Sequence, residues 1–361
     1  MADAARAAAG EDVGTGDRRS TELPSALADW AAFEALARSY ERLAVFLDYD
    51  GTLSHIVAEP EKAFMTDAMR SAVRRVAATC PCAIISGRGR DKVFDFVRID
   101  ELYYAGSHGL DICGPRISTT GAGAGAGPAG VGANGGRCAA QASSAGGSGA
   151  GGQSRQDAPD SRPNGANSVA ANGCIDLQPA EGYVELLDAV CAELKRRLSG
   201  IGGAEVEHNK YCLSVHYRRV EESDWPRVWK TVEEVAAANS ERLRLSSGRK
   251  VMEIKPRIDW DKGRAVAYLL EALGLASDPG CLPIYLGDDT TDEDAFRCLR
   301  EREAGGAGVI VASITKRTAA DFRLRDPDEV QEFLERVAAM QERSGAGAPG
   351  GGAGEDGDAG M

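Results

Sequence analysis

The sequence predicts an α/β protein: a parallel-sheet core with a smaller α+β domain inserted into it. Three observations lead there. The apolar runs Ala44-Val45-Phe46, Ala83-Ile84-Ile85 and Leu282 to Leu286 each end in a polar, glycine-containing loop, the pattern of buried parallel strands. The first two runs are separated by a stretch of helical spacing, so strand, helix and strand form one parallel unit. Between the second and third runs, Cys212 to Arg218 alternates: Leu213, Val215 and Tyr217 share one face, and Ser214, His216 and Arg218 share the other. Such alternation suits an antiparallel sheet buried on one side.

In chain order, Leu23-Pro24 opens a helical pattern carried by Leu27, Trp30, Phe33, Leu36 and Tyr40, which is predicted to pack just ahead of the first strand. Met65 to Ala77 is the next helix, with Met65, Met69, Val73 and Val76 on one face, and a third strand spans Leu102 to Ala105. The inserted domain has a helix over Glu181 to Leu198 and a hairpin pairing Glu205 to Lys210 with Cys212 to Arg218. A helix from Trp225 to Val235 and the strands Leu243 to Leu245 and Val251 to Ile254 follow. Its polar sheet face suits either a cleft lining or a solvated outer surface. The core resumes at Asp261-Lys262-Gly263, which opens a helix through Leu273, and closes with a strand at Gly308 to Ala312 and a helix from Glu329 to Met340. The expected organisation is core over 21–111 and 258–343, with the cap over 112–257. Residues 1–20, about 120–173 and 344–361 are expected to be disordered. Between Gly121 and Gly152 alone there are thirteen glycines among small residues, too little apolar surface to offset the entropy of ordering.

Composition narrows the function classes. The apolar share of 43% is ample for two cores. With 42 basic against 55 acidic residues, the net charge of -13 argues against nucleic acid or an anionic membrane as a partner. The nine cysteines lack the spacing of a zinc site and read as reduced thiols. No apolar run has the length of a membrane span, and the first twenty residues lack the apolar centre of a signal peptide. The expectation is a cytoplasmic monomer, with the chloroplast as the alternative location.

The chemistry sits in the loops that end the apolar runs, where open α/β sheets place their ligands. In Asp48-Tyr49-Asp50-Gly51-Thr52, a bend at Gly51 lets both carboxylates reach one site, so that one attacks and the other handles protons. An aspartate nucleophile suits phosphoryl transfer, because the acyl phosphate it forms is readily hydrolysed. The bland alternative is an acidic turn closing a strand. Ser86-Gly87-Arg88 offers a hydroxyl and a guanidinium to an anion, or is a surface turn, and His108 lies in a third loop at the same edge. Asp288, Asp289, Asp292, Glu293 and Asp294 place five acids in seven positions after a buried strand. Like charges held so close call for a divalent cation, and oxygen ligands favour magnesium, although some of these acids serve the first turn of a helix.

Together, D-Y-D-G-T at 48, S-G-R at 86, K-G at 262 and G-D-D-T-T-D at 287 resemble the haloacid-dehalogenase-like phosphatases, whose core is Rossmann-like. FLDYDGTLSHIV, ISGRGRDKVF, LYYAGSHGLDI, CLSVHYR, WDKGRA and YLGDDTTDEDAF narrow the resemblance to the trehalose-6-phosphate phosphatases of plant and green-algal type. The resemblance implies Asp48 as nucleophile and magnesium ligand, and Asp50 as general acid and base that also offers the metal its backbone carbonyl. It implies Asp288 as a further metal ligand with Asp292 in support, and Ser86 and Lys262 as holders of the phosphoryl oxygens. For the phosphosugar it implies Arg249, Lys250 and Glu253 in the cap, with Arg88, His108, Asn209 and Lys210 as further candidates.

Overall fold

The computed structural model describes residues 18–19, 23–57, 59–115, 175–248, 250–314 and 317–346. The expected disordered insertion at 120–173 and Arg249 lie outside the described residues, as does nearly all of the leader.

The larger of the two main sheets has eight strands and holds the site. Its elements in chain order are helix α1 (Trp30–Arg38), β1 (Arg42–Leu47), α2 (Asp67–Ala77), β2 (Cys82–Ile85), α3 (Arg90–Val97), β3 (Tyr103–Gly106), β4 (Asp111–Cys113) and β5 (Asp176–Leu177). The chain then builds the cap from α4 (Val184–Leu198), β6 (Glu205–His208), β7 (Leu213–His216), α5 (Trp225–Ala238), β8 (Leu243–Gly248) and β9 (Val251–Pro256). It returns through α6 (Lys262–Ala272), β10 (Cys281–Gly287), α7 (Asp292–Glu301), β11 (Ala307–Val311), β12 (Phe322–Leu324) and α8 (Pro327–Ala346). The strand order is β12-β11-β10-β1-β2-β3-β4-β5, parallel as far as β3 and antiparallel for β4 and β5.

β1 runs through the middle of this sheet and is buried from Leu43 onward because helices cover both faces. Leu43, Val45 and Leu47 pack into one layer with Phe33, Val73, Val97 and Phe333, while Ala44 and Phe46 enter the opposite layer with Val266, Leu269 and Phe296. That two-sided burial is why the strand reads as a continuous apolar run. α2 starts two residues later than its apolar pattern, since the Thr66 hydroxyl accepts from Met69 N at 3.0 Å and caps the helix, a bond of about 1 kcal/mol. Asp261 caps α6 in the same way, accepting from Arg264 N at 2.8 Å, which sets Lys262 at the first position of the helix.

The cap sheet is antiparallel, in the order β6-β7-β9-β8. Leu213, Val215 and Tyr217 pack with Met252 and Ile254 against α4 and α5, as the alternation requires. Ile112, Cys113, Asp176 and Leu177 fall in the span expected for the cap, yet they extend the large sheet as its antiparallel edge. α8 continues to Ala346, three residues into the expected tail.

Candidate active site

Three parallel strands, β1, β2 and β10, deliver Asp48, Ser86 and Asp288 to one edge of the sheet. Past β1 the chain turns at Gly51, whose φ of +82° is open to glycine and strained for other residues. The turn is closed by Gly51 N donating to Ser54 O at 2.8 Å.

Asp48 is 5% exposed and its Oδ1 accepts from Lys262 Nζ at 2.7 Å. The same ammonium donates to Asp292 Oδ1, also at 2.7 Å. Asp292 is wholly buried, and protein donors use both of its oxygens: Tyr285 Oη reaches Oδ1 at 2.7 Å, and the backbone N–H groups of Asp288 and Asp289 reach Oδ2 at 2.9 and 3.0 Å. Asp292 therefore fixes both the lysine and the loop that carries Asp288. Burial disfavours a charge on Lys262, but Asp292 and Asp48 outweigh it and hold the ammonium well above its ordinary range. Burial pushes Asp48 up; Lys262 opposes this, and the charges of Asp292 and Asp288 add to it.

Carboxylate oxygens of Asp48, Asp288 and Asp292 lie within 4.8 Å of one another. The Lys262 ammonium faces that group, and a divalent cation placed among the three carboxylates would add positive charge that favours an ionised Asp48. Hard oxygen donors of this kind fit magnesium.

Asp50 directly precedes Gly51, and its carboxylate is bridged by Arg88 at 2.7 Å from Nε and 2.5 Å from Nη2. The Ser86 hydroxyl oxygen accepts from Arg88 N at 3.2 Å, which leaves its O–H to donate.

The cap turns its polar face to this edge. Asp48, Asp50, Arg88, His108 and Lys262 from the core, with Glu207, Asn209, Ser214, His216 and Glu253 from the cap, line a cavity of about 200 Å³. His108 Nε2 lies 3.1 Å from Glu253 Oε1, and Lys255 Nζ lies 2.8 Å from Glu253 Oε2. Burial opposes the charge on Glu253, but His108 and Lys255 hold its carboxyl below the usual range. Asn209 Oδ1 accepts from Gly89 N at 3.1 Å, and the Ser107 hydroxyl donates to Asn209 O, so the cap is tied to the core beside the cavity.

This geometry can be set against known proteins. The model of the trehalose-phosphatase family matches residues 46–328, and every core loop described above lies inside that span. The chain belongs to the trehalose-phosphatase family. Probable trehalose-phosphate phosphatase 3 of Oryza sativa subsp. japonica is 43% identical over 318 residues, covering 88% of this chain and 75% of that protein. Trehalose 6-phosphate phosphatase RA3 of Zea mays is 42% identical over 315 residues, covering 87% and 74%. The C-terminal domain of the C. albicans trehalose-6-phosphate phosphatase superposes with a TM-score of 0.59 at 18% identity, over 88% of this chain and 98% of that one, a likeness of fold.

In this trehalose-phosphatase chain the core candidates Asp48, Asp50, Ser86, Arg88, His108, Lys262, Asp288 and Asp292 meet at one edge, and Asn209 and Glu253 join them from the cap side. Two cap candidates are placed elsewhere. Lys250 occupies the tight turn between β8 and β9 at φ +64°, and its ammonium lies 4.8 Å from the Trp225 ring centroid, on the apolar side of the cap. Lys210 bonds Asp111 at 3.2 Å and Gln178 at 3.1 Å, joining cap to core outside the cavity. Reasoning from sequence passed over Glu207, His216 and Lys255. The first two belong to the polar faces of strands already recognised, so the alternation itself was the signal. Lys255 carried none: it follows Ile254 at the end of a short strand.

Proposed function

We propose that this chain hydrolyses trehalose 6-phosphate to trehalose and phosphate, with magnesium bound, through an aspartyl-phosphate on Asp48. The observation that carries the reading is the 2.7 Å contact of Asp48 with Lys262 inside a buried group of three carboxylates. A silent binder of phosphosugars has no need of two aspartates at this edge, one buried against an ammonium and one beside the cavity.

In the first step an oxygen of Asp48 attacks phosphorus, the bond from phosphorus to the sugar oxygen breaks, and Asp50 gives that oxygen a proton. Water then attacks the acyl phosphate as Asp50 takes its proton, which frees phosphate and restores both carboxyl groups. Lys262 and the Ser86 hydroxyl meet the phosphoryl oxygens. Asp48, Asp288 and the backbone carbonyl of Asp50 would hold magnesium, which supplies positive charge where one anion approaches another. Arg88 faces both oxygens of Asp50, so the proton transfer requires that pair to open. The names of the plant relatives support the substrate, and so does a cap face of carboxylate, amide and imidazole groups suited to sugar hydroxyls.

The test is phosphate release from a panel of sugar phosphates with magnesium and with chelator. Magnesium-dependent preference for trehalose 6-phosphate is expected. Equal turnover across the panel overturns the substrate, and undiminished turnover in chelator overturns the metal.

A further inference from the structure

A second group of candidate metal ligands shares no residue with Asp48, Asp288 and Asp292. A ring nitrogen of His108, the Cys212 sulfur and a Glu253 oxygen lie within 4.8 Å of one another. His108 belongs to the core loop after β3, and Cys212 and Glu253 belong to the cap, so the three meet only where the cap sits on the core. Spacing in the sequence does not show the group, because each member comes from a separate stretch.

Strand register explains the cysteine. Glu253 on β9 pairs with Ser214 on β7, and alternation carries Cys212, two residues earlier, to the same face of the sheet as Ser214 and His216. That face turns to the core, while Leu213, Val215 and Tyr217 fill the interior of the cap. Cys212 is wholly buried, and its sulfur meets Leu213 O only weakly, at 3.8 Å. Burial pushes the thiol up, so it is inert as a nucleophile.

One nitrogen, one sulfur and one oxygen suit zinc and not magnesium, which takes oxygen ligands. Three protein ligands with a fourth position left to water are a common zinc arrangement. His108 Nε2 and Glu253 Oε1 are 3.1 Å apart, close to the separation of two atoms that each lie about 2.0–2.2 Å from one zinc ion. Burial, with Lys255 nearby, holds the His108 ring neutral, the form that ligates. Lys255 Nζ lies 2.8 Å from Glu253 Oε2 and leaves Oε1 toward the imidazole, the part an outer partner plays in orienting a carboxylate ligand. The same ammonium repels a cation, so the thiolate, formed as Cys212 gives up its proton, decides the affinity. His108 and Glu253 line the catalytic cavity, which gives an ion its way in.

We propose that His108, Cys212 and Glu253 form an inhibitory site for zinc or a similarly soft divalent cation, which pins the cap to the core. An ion held there takes His108 and Glu253 away from the catalytic cavity and keeps cap and core from parting, which slows substrate entry and product release. Binding at the site does not depend on which phosphosugar is cleaved.

The experiment uses cobalt(II) as a stand-in for zinc, because its bond to a thiolate gives a charge-transfer band in the near ultraviolet. The full chain, in excess magnesium, is titrated with cobalt and then with zinc, and zinc inhibition of phosphate release from trehalose 6-phosphate is measured in parallel. Cys212→Ser and Cys212→Ala are compared with it, and thermal melting establishes that each is folded. The unaltered chain should show the band and lose it to zinc, and its inhibition by zinc should persist as magnesium is raised. Both variants should turn over normally in magnesium alone, lack the band, and need about tenfold or more zinc for half-inhibition. An unaltered chain without the band overturns the site whatever the variants do, and so does zinc inhibition that magnesium relieves. A band or a zinc sensitivity that the variants keep in full also overturns it, since the ion then sits on another cysteine or among Asp48, Asp288 and Asp292.

Discussion

Arg88 grips Asp50 through two hydrogen bonds, from Nε at 2.7 Å and from Nη2 at 2.5 Å, while its guanidinium lies 5.1 Å from the Phe96 ring centroid and 5.8 Å from that of Tyr49. Arg88 is 7% exposed, so both aromatic rings and the carboxylate hold its guanidinium in one orientation. A lysine at this position keeps the charge and loses the fork. Arg88→Lys is expected to lower kcat about tenfold with a smaller change in KM, because the residue orients Asp50 rather than the sugar. Steady-state kinetics on trehalose 6-phosphate decide it; an unchanged kcat removes Arg88 from the positioning of the acid.

The two aspartates that share Lys262 should behave oppositely. Asp48→Asn leaves the lysine paired with Asp292 and takes one negative charge out of the interior. Turnover should fall at least about a thousandfold while the melting temperature holds or rises. Asp292→Ala strands the buried ammonium and releases the Tyr285 hydroxyl and two loop N–H groups. It should destabilise the fold by about 3–5 kcal/mol, read from denaturant unfolding. A stable Asp292→Ala protein would refute the account of that residue.

Gly51 links the turn to the acidic loop. A Cβ built there lies 2.3 Å from Asp288 Oδ2, and the φ of +82° adds strain of about 1–2 kcal/mol for alanine. Gly51→Ala must push Asp288 from its place beside Asp48. The magnesium concentration for half-maximal phosphate release should then rise about tenfold or more, with a modest loss of stability. A magnesium titration identical to that of the unaltered chain means that Asp288 is not a ligand.

How much of this was legible follows from the kind of burial each element has. Long apolar runs such as β1 and β10, covered on both faces, announce themselves, and so do amphipathic helices such as α2 and α4. The helix α3 and the short strands β4, β5 and β12 do not, because eight residues rich in charge, or two to three residues of strand, show too little periodicity. Residues at strand ends, such as Asp48, Ser86 and Asp288, were legible from the rule that ligands gather there. What escaped was the direction of side chains in the cap: Lys250 and Glu253 are three residues apart, yet one stacks on Trp225 and the other faces His108. Charge alone cannot tell a hairpin turn from the strand beside it.

Glu207 carries the tie between cap and core that pH can report. Its carboxylate accepts from Lys92 on α3 and lies 2.9 Å from His216 Nε2. Burial raises its pKa, but the bonds to His216 and Lys92 win and bring it down from 4.5 to about 2. The unfolded chain therefore binds the proton more tightly than the folded one. The stabilisation is fully present above about pH 4.5 and is lost as pH falls toward 2. At about 1.4 kcal/mol per pH unit, the shift corresponds to roughly 3 kcal/mol. Glu207→Gln cannot take part in this linkage. Melting temperatures of the two proteins should differ most above pH 5 and converge as pH approaches 2, with the unaltered chain losing more on acidification. Parallel curves across that window show that the cap is held to the core by other contacts, such as Asn209 with Gly89 and Lys210 with Asp111.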